Sequence, residues 1–359
     1  MTPDGLFEHT PETLAALLRE RGQPPFRAKQ ILEWVYQKGA ETYDGMSNLP
    51  QTLRQALAET LPVYRSAVSA RQASSDGTVK LLLTWDDGAT SECVMIPDGD
   101  RRTACISTQV GCPVKCVFCA SGIGGLQRQL TRGQIVEQAM RVRAVCEPDA
   151  RLSNVVFMGL GEPLANYEAT VAAVRAINAA WGMEIGARKI TISTVGVPKG
   201  IRRLAEEQLQ ITLAISLHAP NDELRRRIIP WAEAIGIDEL VDAANVYFRS
   251  TGREVTLEYI LLGGVNDQAE HAKELAVVAR RMRSNVNLIR YNPVEGLPYQ
   301  RPAAEDAERF QAILRREGVN THMRRSRGLD IDAACGQLRR REASSGTVML
   351  TARSEAGGS

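Results

Sequence analysis

Strand-like apolar runs alternate with helical segments through the middle of the chain, and this alternation constrains the fold more than any other feature. The six runs are residues 103–107, 154–158, 189–193, 211–217, 255–262 and 286–291. Neighbouring parallel strands need long crossover connections, which helices usually supply. The alternation therefore predicts an α/β domain built on a parallel sheet. In α/β barrels, which are built on such a parallel sheet, the catalytic and binding residues follow the carboxyl ends of the strands.

Two other patterns precede the alternating region. Between residues 10 and 58 apolar side chains recur at helical spacing, and a pair of prolines interrupts them, which predicts short helices. Residues 79–85 and 91–96 are strand-like and flank an Asp-Gly turn, which is typical of a β-hairpin. We therefore predict a helical domain over residues 1–60, a β-hairpin extension over 61–97, the α/β core over 98–338 and a disordered tail over 339–359.

Composition excludes several classes of protein. The chain has 359 residues, of which 44% are hydrophobic and 24% charged, as expected for a globular protein with one large core. It has no long apolar stretch and no basic, hydrophobic start, so we expect a cytoplasmic protein without a membrane segment. Seven cysteines in such a chain favour metal or redox chemistry over structural disulfides.

Three of these cysteines, Cys112, Cys116 and Cys119, lie within residues 111–122 (GCPVKCVFCASG). Iron–sulfur clusters are held by thiolates, usually four for a [4Fe–4S] cluster. Three clustered thiols therefore leave one iron without a protein ligand, and that iron is free to bind a small molecule. The alternative is a zinc site, in which Cys105 or a distant histidine supplies the fourth ligand.

The cysteine spacing resembles the cluster loop of the radical S-adenosylmethionine (SAM) enzymes. Three flanking motifs narrow the resemblance to the RlmN family, the ribosomal RNA adenine C2-methyltransferases: residues 105–112 (CISTQVGC), 157–163 (FMGLGEP) and 327–338 (RGLDIDAACGQL). The match runs from about residue 23 to 338. It implies an incomplete (β/α)₆ radical SAM barrel with a small N-terminal helical accessory domain.

The resemblance also implies cofactors and their ligands. One [4Fe–4S] cluster is expected on the three clustered cysteines, with SAM bound at its open iron and cleaved to a 5′-deoxyadenosyl radical. Two SAM molecules are expected to be consumed in each turnover. The positions that match the SAM-binding residues of the family are Gly161, Glu162, Ser193, Ser216, Leu217, His218 and Asn292.

Two further cysteines match the mechanistic pair of the family. Cys335 is expected to accept a methyl group from the first SAM, and the second SAM converts that group into a methylene radical that adds to adenine C2. Cys105 is expected to release the RNA by attacking the Cys335 sulfur, which leaves a transient disulfide. Glu92, which we expect on the predicted hairpin near the barrel mouth, matches the proposed acceptor of the C2 proton; a surface salt bridge is the alternative role for this residue.

The expected partners follow from the same resemblance. They are 23S rRNA near the peptidyl-transfer centre, the anticodon loop of tRNA, and a low-potential electron donor such as flavodoxin; we expect a monomer. Arg27, Lys29 and Lys38 of the helical domain are candidate RNA contacts, although a helical cap without an RNA role is the alternative. The net charge is only +2, but arginines cluster. Each cluster is a candidate contact for RNA phosphates, with solvated surface as the alternative: Arg101 with Arg102 and residues 225–227, 280–283, 324–327 and 339–341.

Three other functions stay open from the sequence. A relative that methylates adenine C8 and confers antibiotic resistance shares the cluster and both mechanistic cysteines. A radical SAM enzyme acting on a protein or small molecule needs neither Cys335 nor the helical domain. A zinc-bearing RNA-binding protein without catalytic activity needs no iron.

Overall fold

A ten-stranded mixed sheet forms the centre of the molecule. The structure is a computed structural model that describes residues 5–338, so the tail predicted over 339–359 lies outside the described residues. The strands of this sheet are β1 (Ala67–Ala73), β2 (Val79–Thr84), β3 (Thr90–Asp98), β4 (Arg101–Cys105), β7 (Asn154–Phe157), β8 (Ile190–Thr194), β9 (Thr212–Ser216), β10 (Val255–Leu261), β11 (Ser284–Arg290) and β12 (Thr321–Arg324). A separate antiparallel pair comprises β5 (Gln109–Gly111) and β6 (Leu126–Gln129).

The order of the strands confirms the predicted parallel core. From β4 through β7, β8, β9, β10 and β11 every neighbouring pair is parallel. These six strands correspond to the six predicted apolar runs, and they form the incomplete barrel. The predicted hairpin is the antiparallel pair of β2 and β3, and β3 continues the sheet by pairing with β4.

Two strands of this sheet and the small antiparallel pair were not predicted. β1 pairs with β2, so the extension is a three-stranded meander rather than a hairpin. All residues of β1 are exposed, so β1 lacks the alternation of buried apolar and exposed polar residues that marks a strand in a sequence. β12 adds a seventh parallel strand after β11, but its four residues are too short and too polar to stand out from the sequence.

Helices supply the crossovers and the N-terminal domain. In the described residues, no helix is long and apolar enough to traverse a membrane. The helices are α1 (Pro11–Glu20), α2 (Arg27–Leu32), α3 (Gln51–Thr60), α4 (Arg132–Ala144), α5 (Tyr167–Asn178), α6 (Pro198–Glu206), α7 (Asp222–Ile228), α8 (Ile237–Thr251), α9 (Ala269–Arg280) and α10 (Ala304–Arg316).

The N-terminal helices pack directly onto the barrel. The Tyr36 ring meets the Trp181 ring edge to face at 5.9 Å, and Gln37 donates to the Gly182 carbonyl at 3.0 Å. Arg143 of α4 donates to the carbonyls of Val35 and Tyr36. One continuous apolar core therefore joins the helical domain to the barrel.

Candidate active site

One cavity opens at the carboxyl ends of the barrel strands, with a volume of about 220 Å³. Its walls come from β3, β4 and β7 to β12 and from the loops that follow several of them. All the site residues predicted from the sequence line this cavity, except Glu92 and Leu217. The lining residues that were predicted are Cys105, Cys112, Cys116, Cys119, Gly161, Glu162, Ser193, Ser216, His218, Asn292 and Cys335.

The three clustered cysteines lie on a loop of residues 112–125, which we call the cluster loop. The Cys112 N–H donates to the Gly125 carbonyl at 3.2 Å and closes the loop beneath the pair of β5 and β6. The Val117 N–H donates to the Ile228 carbonyl at 3.1 Å. Val114 and Phe118 are buried in an apolar cluster with side chains of the barrel. The loop is thus fixed by both backbone hydrogen bonds and packing.

The chemistry of the three thiols fits an iron–sulfur cluster. Burial raises the pKa of Cys112 to about 12 and that of Cys116 well above its usual value, so the bare thiols stay protonated. A metal that replaces these protons supplies the positive charge that thiolates need. In residues 5–338 no three His, Cys, Asp or Glu side chains are gathered for a single metal ion. Thiols on a cluster each bind a separate iron and do not need to converge on one point.

Glu162 ties two strand ends together while it lines the cavity. One carboxylate oxygen accepts hydrogen bonds from the Leu164 N–H at 2.9 Å and the Thr194 hydroxyl at 2.7 Å. The other accepts from the Val195 N–H at 2.7 Å. Burial raises the pKa of Glu162 to about 7, although these hydrogen bonds oppose the shift. The preceding Gly161 has φ +106°, and a Cβ there would overlap the Gln109 side chain.

His218 is a neutral hydrogen-bond donor. Its Nδ1 accepts from the Ile260 N–H at 3.1 Å, which leaves the proton on Nε2. Burial, helped by the nearby Arg225 charge, lowers the pKa of His218 to about 3. The Ser193 and Ser216 hydroxyls are 3.4 Å apart on adjacent strands. Leu217 is 1% exposed and does not line the cavity, so only its backbone is available to a ligand there.

Cys335 lies on a loop of residues 328–338, which we call the thiol loop. The Asn292 side chain donates to the Cys335 carbonyl at 3.1 Å and accepts from the Ser326 hydroxyl at 2.7 Å. Asn292 is therefore engaged in holding the thiol loop, and its predicted contact with SAM stays a prediction. The Ala120 N–H of the cluster loop donates to the Gly336 carbonyl at 2.8 Å, so the two loops touch.

Arg324 connects the two mechanistic thiols electrostatically. Burial raises the pKa of Cys105 to about 12, the neighbouring Cys335 adds to this rise, and the Arg324 cation opposes it. Burial also raises the pKa of Cys335, again opposed by Arg324. Cys335 is solvent-exposed through the concave cavity, but the surrounding protein still desolvates its thiol. The predicted pair, Cys105 and Cys335, thus lines one cavity and interacts with one cation, Arg324.

Glu92 departs from the placement we expected at the barrel mouth. It is 1% exposed and its carboxylate lies 3.5 Å from the Lys80 ammonium. Lys80 also donates to the Asp332 carbonyl of the thiol loop at 3.1 Å. Glu92 does not line the cavity, so a role as proton acceptor requires this ion pair to rearrange. That role stays a prediction.

Sequence reasoning missed Glu258, the buried carboxylate of the cavity wall. It lies in the middle of β10, where its carboxylate is 3.5 Å from the Arg324 guanidinium and accepts from the Asn287 side chain at 2.9 Å. Every residue of β10 is buried. A single charged residue in a buried apolar strand was the signal in the sequence, because charges are rarely buried without a specific partner or role.

Several predicted RNA contacts are occupied within the protein. Arg225 is 1% exposed and donates to the Val195 carbonyl at 2.6 Å, so its guanidinium is engaged inside the protein and is not available to RNA. Arg102 pairs with Glu147 at 2.7 Å. Arg280, Arg281 and Arg327 also form ion pairs, while residues 339–341 lie outside the described part of the chain.

The candidate RNA contacts of the helical domain are partly occupied as well. Arg27 donates to the Asn48 carbonyl at 2.6 Å, and the Lys38 ammonium lies 4.1 Å above the Trp34 ring. Lys29 is exposed on α2. The RNA-binding role of these residues stays a prediction.

Comparison with known proteins identifies the family. The Radical SAM superfamily profile matches residues 106–276, and the profile of the "Ribosomal RNA large subunit methyltransferase N-terminal domain" matches residues 5–63. A "Probable dual-specificity RNA methyltransferase RlmN" from Rhodopirellula baltica is 47% identical over 323 residues, covering 90% of this chain and 87% of the relative. One from Synechococcus sp. (strain CC9311) is 50% identical over 327 residues, covering 89% and 93%.

A solved structure agrees with these sequence matches. The crystal structure of a radical SAM methyltransferase from Sphaerobacter thermophilus superimposes with a TM-score of 0.92 at 45% identity, covering 94% of this chain and 99% of that one. These matches exclude the alternatives of a radical enzyme acting on a protein and of a non-catalytic zinc protein. The chain is a SAM-dependent enzyme that methylates RNA by radical chemistry, and it belongs to the RlmN family of radical SAM methyltransferases.

Proposed function

We propose that this enzyme methylates C2 of an adenine in 23S rRNA near the peptidyl-transfer centre, and C2 of an adenine in the anticodon loop of tRNA. The observation that carries the proposal is the shared cavity: the thiols of Cys105 and Cys335 face the same space as the three cysteines of the cluster loop. An enzyme that only cleaved SAM would not need this second pair of thiols. Relatives across the whole chain are named dual-specificity RNA methyltransferases, which supports two classes of RNA substrate.

The chain's residues fit the two cofactors that this reaction needs. Cys112, Cys116 and Cys119 would hold one [4Fe–4S] cluster, and SAM would lie against Gly161, Glu162, Ser193, Ser216, the Leu217 backbone, His218 and Asn292. When bound, the cluster and two SAM molecules supply the electron, the methyl group and the hydrogen-abstracting radical. The neutral His218 presents an Nε2–H donor, which suits a carboxylate or hydroxyl oxygen of SAM.

Cys335 is the methyl carrier in this proposal. Its sulfur forms a bond to the SAM methyl carbon as the bond from that carbon to the sulfonium breaks, a displacement that requires the thiolate. The Arg324 guanidinium favours this thiolate. The thiol loop then has to present the methylated sulfur to the RNA base, which needs only local movement of a loop that already borders the cavity.

Cys105 completes the reaction by releasing the RNA. Its thiolate attacks the Cys335 sulfur, a sulfur–sulfur bond forms, and the bond from the Cys335 sulfur to the transferred carbon breaks with its electron pair passing to the product. A base, for which Glu92 is proposed, removes the C2 proton before this attack, and the unpaired electron that radical addition leaves on the RNA adduct would return to the bound cluster. The transferred carbon then takes up a proton from solvent and becomes the methyl group. The resulting disulfide must be reduced by an external thiol before the next turnover.

The position of methylation rests on resemblance over the whole chain. The C8-methylating relative remains the second candidate, because it shares the cluster and both mechanistic cysteines. Either reaction needs an unpaired base that is splayed out of its stack and inserted into the cavity. Arg325, exposed at the cavity rim, is positioned to meet a phosphate of that RNA.

The remaining partners also belong to the proposal. The enzyme would act as a cytoplasmic monomer and would receive electrons from a low-potential donor such as flavodoxin. Ile123 of the cluster loop and Leu126 of β6 are exposed, which gives such a donor an accessible surface beside the cluster cysteines. Candidate donors are ranked by measuring 5′-deoxyadenosine formation with each purified donor.

Replacing Cys105 tests the proposed release step. We expect Cys105→Ala to form methylated Cys335 and then to accumulate a covalent complex with RNA, visible as a shifted band on a denaturing gel. The matched control is Cys146→Ala, which removes a partly buried thiol that does not line the cavity. Full turnover by Cys105→Ala, or the absence of an RNA adduct, contradicts the assigned role.

Mass spectrometry of RNA tests the proposed products. Nucleosides from 23S rRNA and tRNA of cells with and without the gene should differ in 2-methyladenosine. A difference in 8-methyladenosine instead would support the second candidate. A difference in rRNA alone would remove tRNA from the proposal.

A further inference from the structure

The cavity contains a buried carboxylate oxygen with no partner. Glu258 is 4% exposed and its Oε1 is engaged by the Asn287 amide at 2.9 Å and the Arg324 guanidinium at 3.5 Å. Its Oε2 is buried and has no hydrogen-bond partner among residues 5–338. A buried carboxylate oxygen without a donor is costly, and such a group persists where a ligand completes it.

The surroundings of Glu258 indicate which ligand this is. Arg324, its ion-pair partner, is the cation that interacts with both the Cys105 and Cys335 thiols. In the proposed reaction the Cys335 sulfur carries the carbon that joins the target base, and Cys105 attacks that sulfur to release the base. The ligand atoms next to this ion pair are therefore those of the base. The Met158 sulfur, 3.8 Å from the Arg324 guanidinium, adds an apolar, polarizable wall against which an aromatic ring packs well.

We propose that the Glu258 carboxylate is the adenine-recognition group of the cavity, accepting a hydrogen bond from the exocyclic amine of the target base through Oε2. This inference rests on the proposed function and deepens it, because it names what reads the base. Adenine carries its amine two ring atoms away from C2, on the same Watson–Crick edge. Guanine presents an acceptor oxygen at that position, which the carboxylate repels.

Base recognition needs the ionised form of the Glu258 carboxylate, and two neighbouring groups favour that form. Burial raises the pKa of Glu258, while Arg324 and the Asn287 amide oppose the rise. The ion pair and the amide hydrogen bond both use Oε1, so the second oxygen stays directed to the ligand. An ionised carboxylate only accepts hydrogen bonds, so it selects a base with an amine at this position.

The test pairs a substitution in the protein with a deletion in the RNA. Two synthetic RNA hairpins carry adenosine or purine riboside at the target position, and purine riboside lacks only the amine. We expect wild-type holoenzyme to prefer the adenosine hairpin by about 10-fold to 100-fold in single-turnover kcat/KM. Glu258→Gln should reduce this preference to nearly one, because Asn287 and Arg324 keep the amide oxygen at the Oε1 position and leave the amide NH₂ group facing the amine. Affinity for the two hairpins, measured by fluorescence anisotropy, should change in the same way.

Controls separate base recognition from other roles. Glu137→Gln alters a buried glutamate outside the cavity that accepts from the Ser66 N–H at 2.7 Å, and it should keep the wild-type preference. Glu258→Gln should still form methylated Cys335 without RNA, which mass spectrometry detects. An unchanged preference in Glu258→Gln overturns the inference, and a simultaneous loss of SAM affinity would assign the carboxylate to SAM instead. If wild-type enzyme modifies no adenosine in either RNA class, the proposed function fails and this inference fails with it.

Discussion

The cluster loop and the thiol loop meet at the rim of one cavity, but they are held in different ways. The cluster loop is closed by the backbone bond from Cys112 to Gly125 and buries Val114 and Phe118 in an apolar cluster. Its three cysteines therefore have fixed positions. This suits ligands that must hold an inorganic cluster through many turnovers.

The thiol loop buries two of its side chains in a small apolar cluster, and its first residues are held by polar contacts with the turn between β1 and β2. Asp76 accepts from the Gly328 N–H at 3.0 Å, and Asp330 accepts from the Ser74 hydroxyl at 2.5 Å and the Ser75 N–H at 3.1 Å. The comparison teaches that the fixed chemistry lies on a packed loop, while the sulfur that must move lies on a loop whose first residues are held by contacts that water can replace.

The largest expected effect comes from removing the moving sulfur. Cys335→Ala should lower RNA methylation by about 10³-fold or more, since it removes the methyl carrier. Iron content should stay at the wild-type value, because the thiol loop touches the cluster loop through the Gly336 carbonyl rather than through this side chain. Product is measured by mass spectrometry and iron by absorption. Loss of iron from this variant would mean that cluster binding depends on the thiol loop.

The second-largest effect is expected from a substitution that distorts the cluster loop. A Cβ on Gly111, which has φ +78°, would overlap the Gly125 carbonyl oxygen that closes the loop. Gly111→Ala should therefore cost roughly 3 kcal/mol of stability, a left-handed backbone penalty plus a steric clash, and should lose most bound iron.

Gly88→Ala is the matched control for Gly111→Ala. Gly88 has a similar φ of +77° but open space around it, so it carries the backbone penalty of about 1 kcal/mol alone. The two variants are compared by denaturant unfolding and by iron content. Equal behaviour of both would show that the clash is relieved and that the cluster loop is less rigid than we infer.

The two loops also differ in how far the sequence predicted them. The three cluster cysteines are close in the chain, so their spacing alone identified the site, and long apolar runs identified the barrel strands. The contacts of the thiol loop join distant parts of the chain, such as Lys80 with Asp332, and leave no local pattern. The burial of Glu92 and the engagement of Asn292 were unpredictable for the same reason. Glu258 left a signal, but a charged residue in a strand does not reveal its partners.

The rate at which Cys335 is methylated should depend on pH, because its thiolate is the reactive form. Burial raises the pKa of Cys335, so at neutral pH only a small fraction is thiolate, and that fraction grows about 10-fold for each pH unit. The rate of Cys335 methylation without RNA should thus rise by about 10-fold or more between pH 7 and pH 9. Arg324→Met should be slower at each pH, because it removes the cation that favours the thiolate. A flat profile, measured by mass spectrometry of the protein, would mean that Cys335 is already ionised.

The smallest expected effect loosens the thiol loop without touching its sulfur. Asp330→Ala removes two hydrogen bonds on an exposed loop and so weakens the attachment of the thiol loop to the turn between β1 and β2. Because the loop must open in any case, we expect faster hydrogen exchange across residues 328–335 and only a few-fold change in RNA methylation. Asp100→Ala, in the exposed turn between β3 and β4, is the control and should leave both unchanged. A loss of methylation as large as that of Cys335→Ala would show that the thiol loop acts as a rigid element, which would remove the contrast between the two loops.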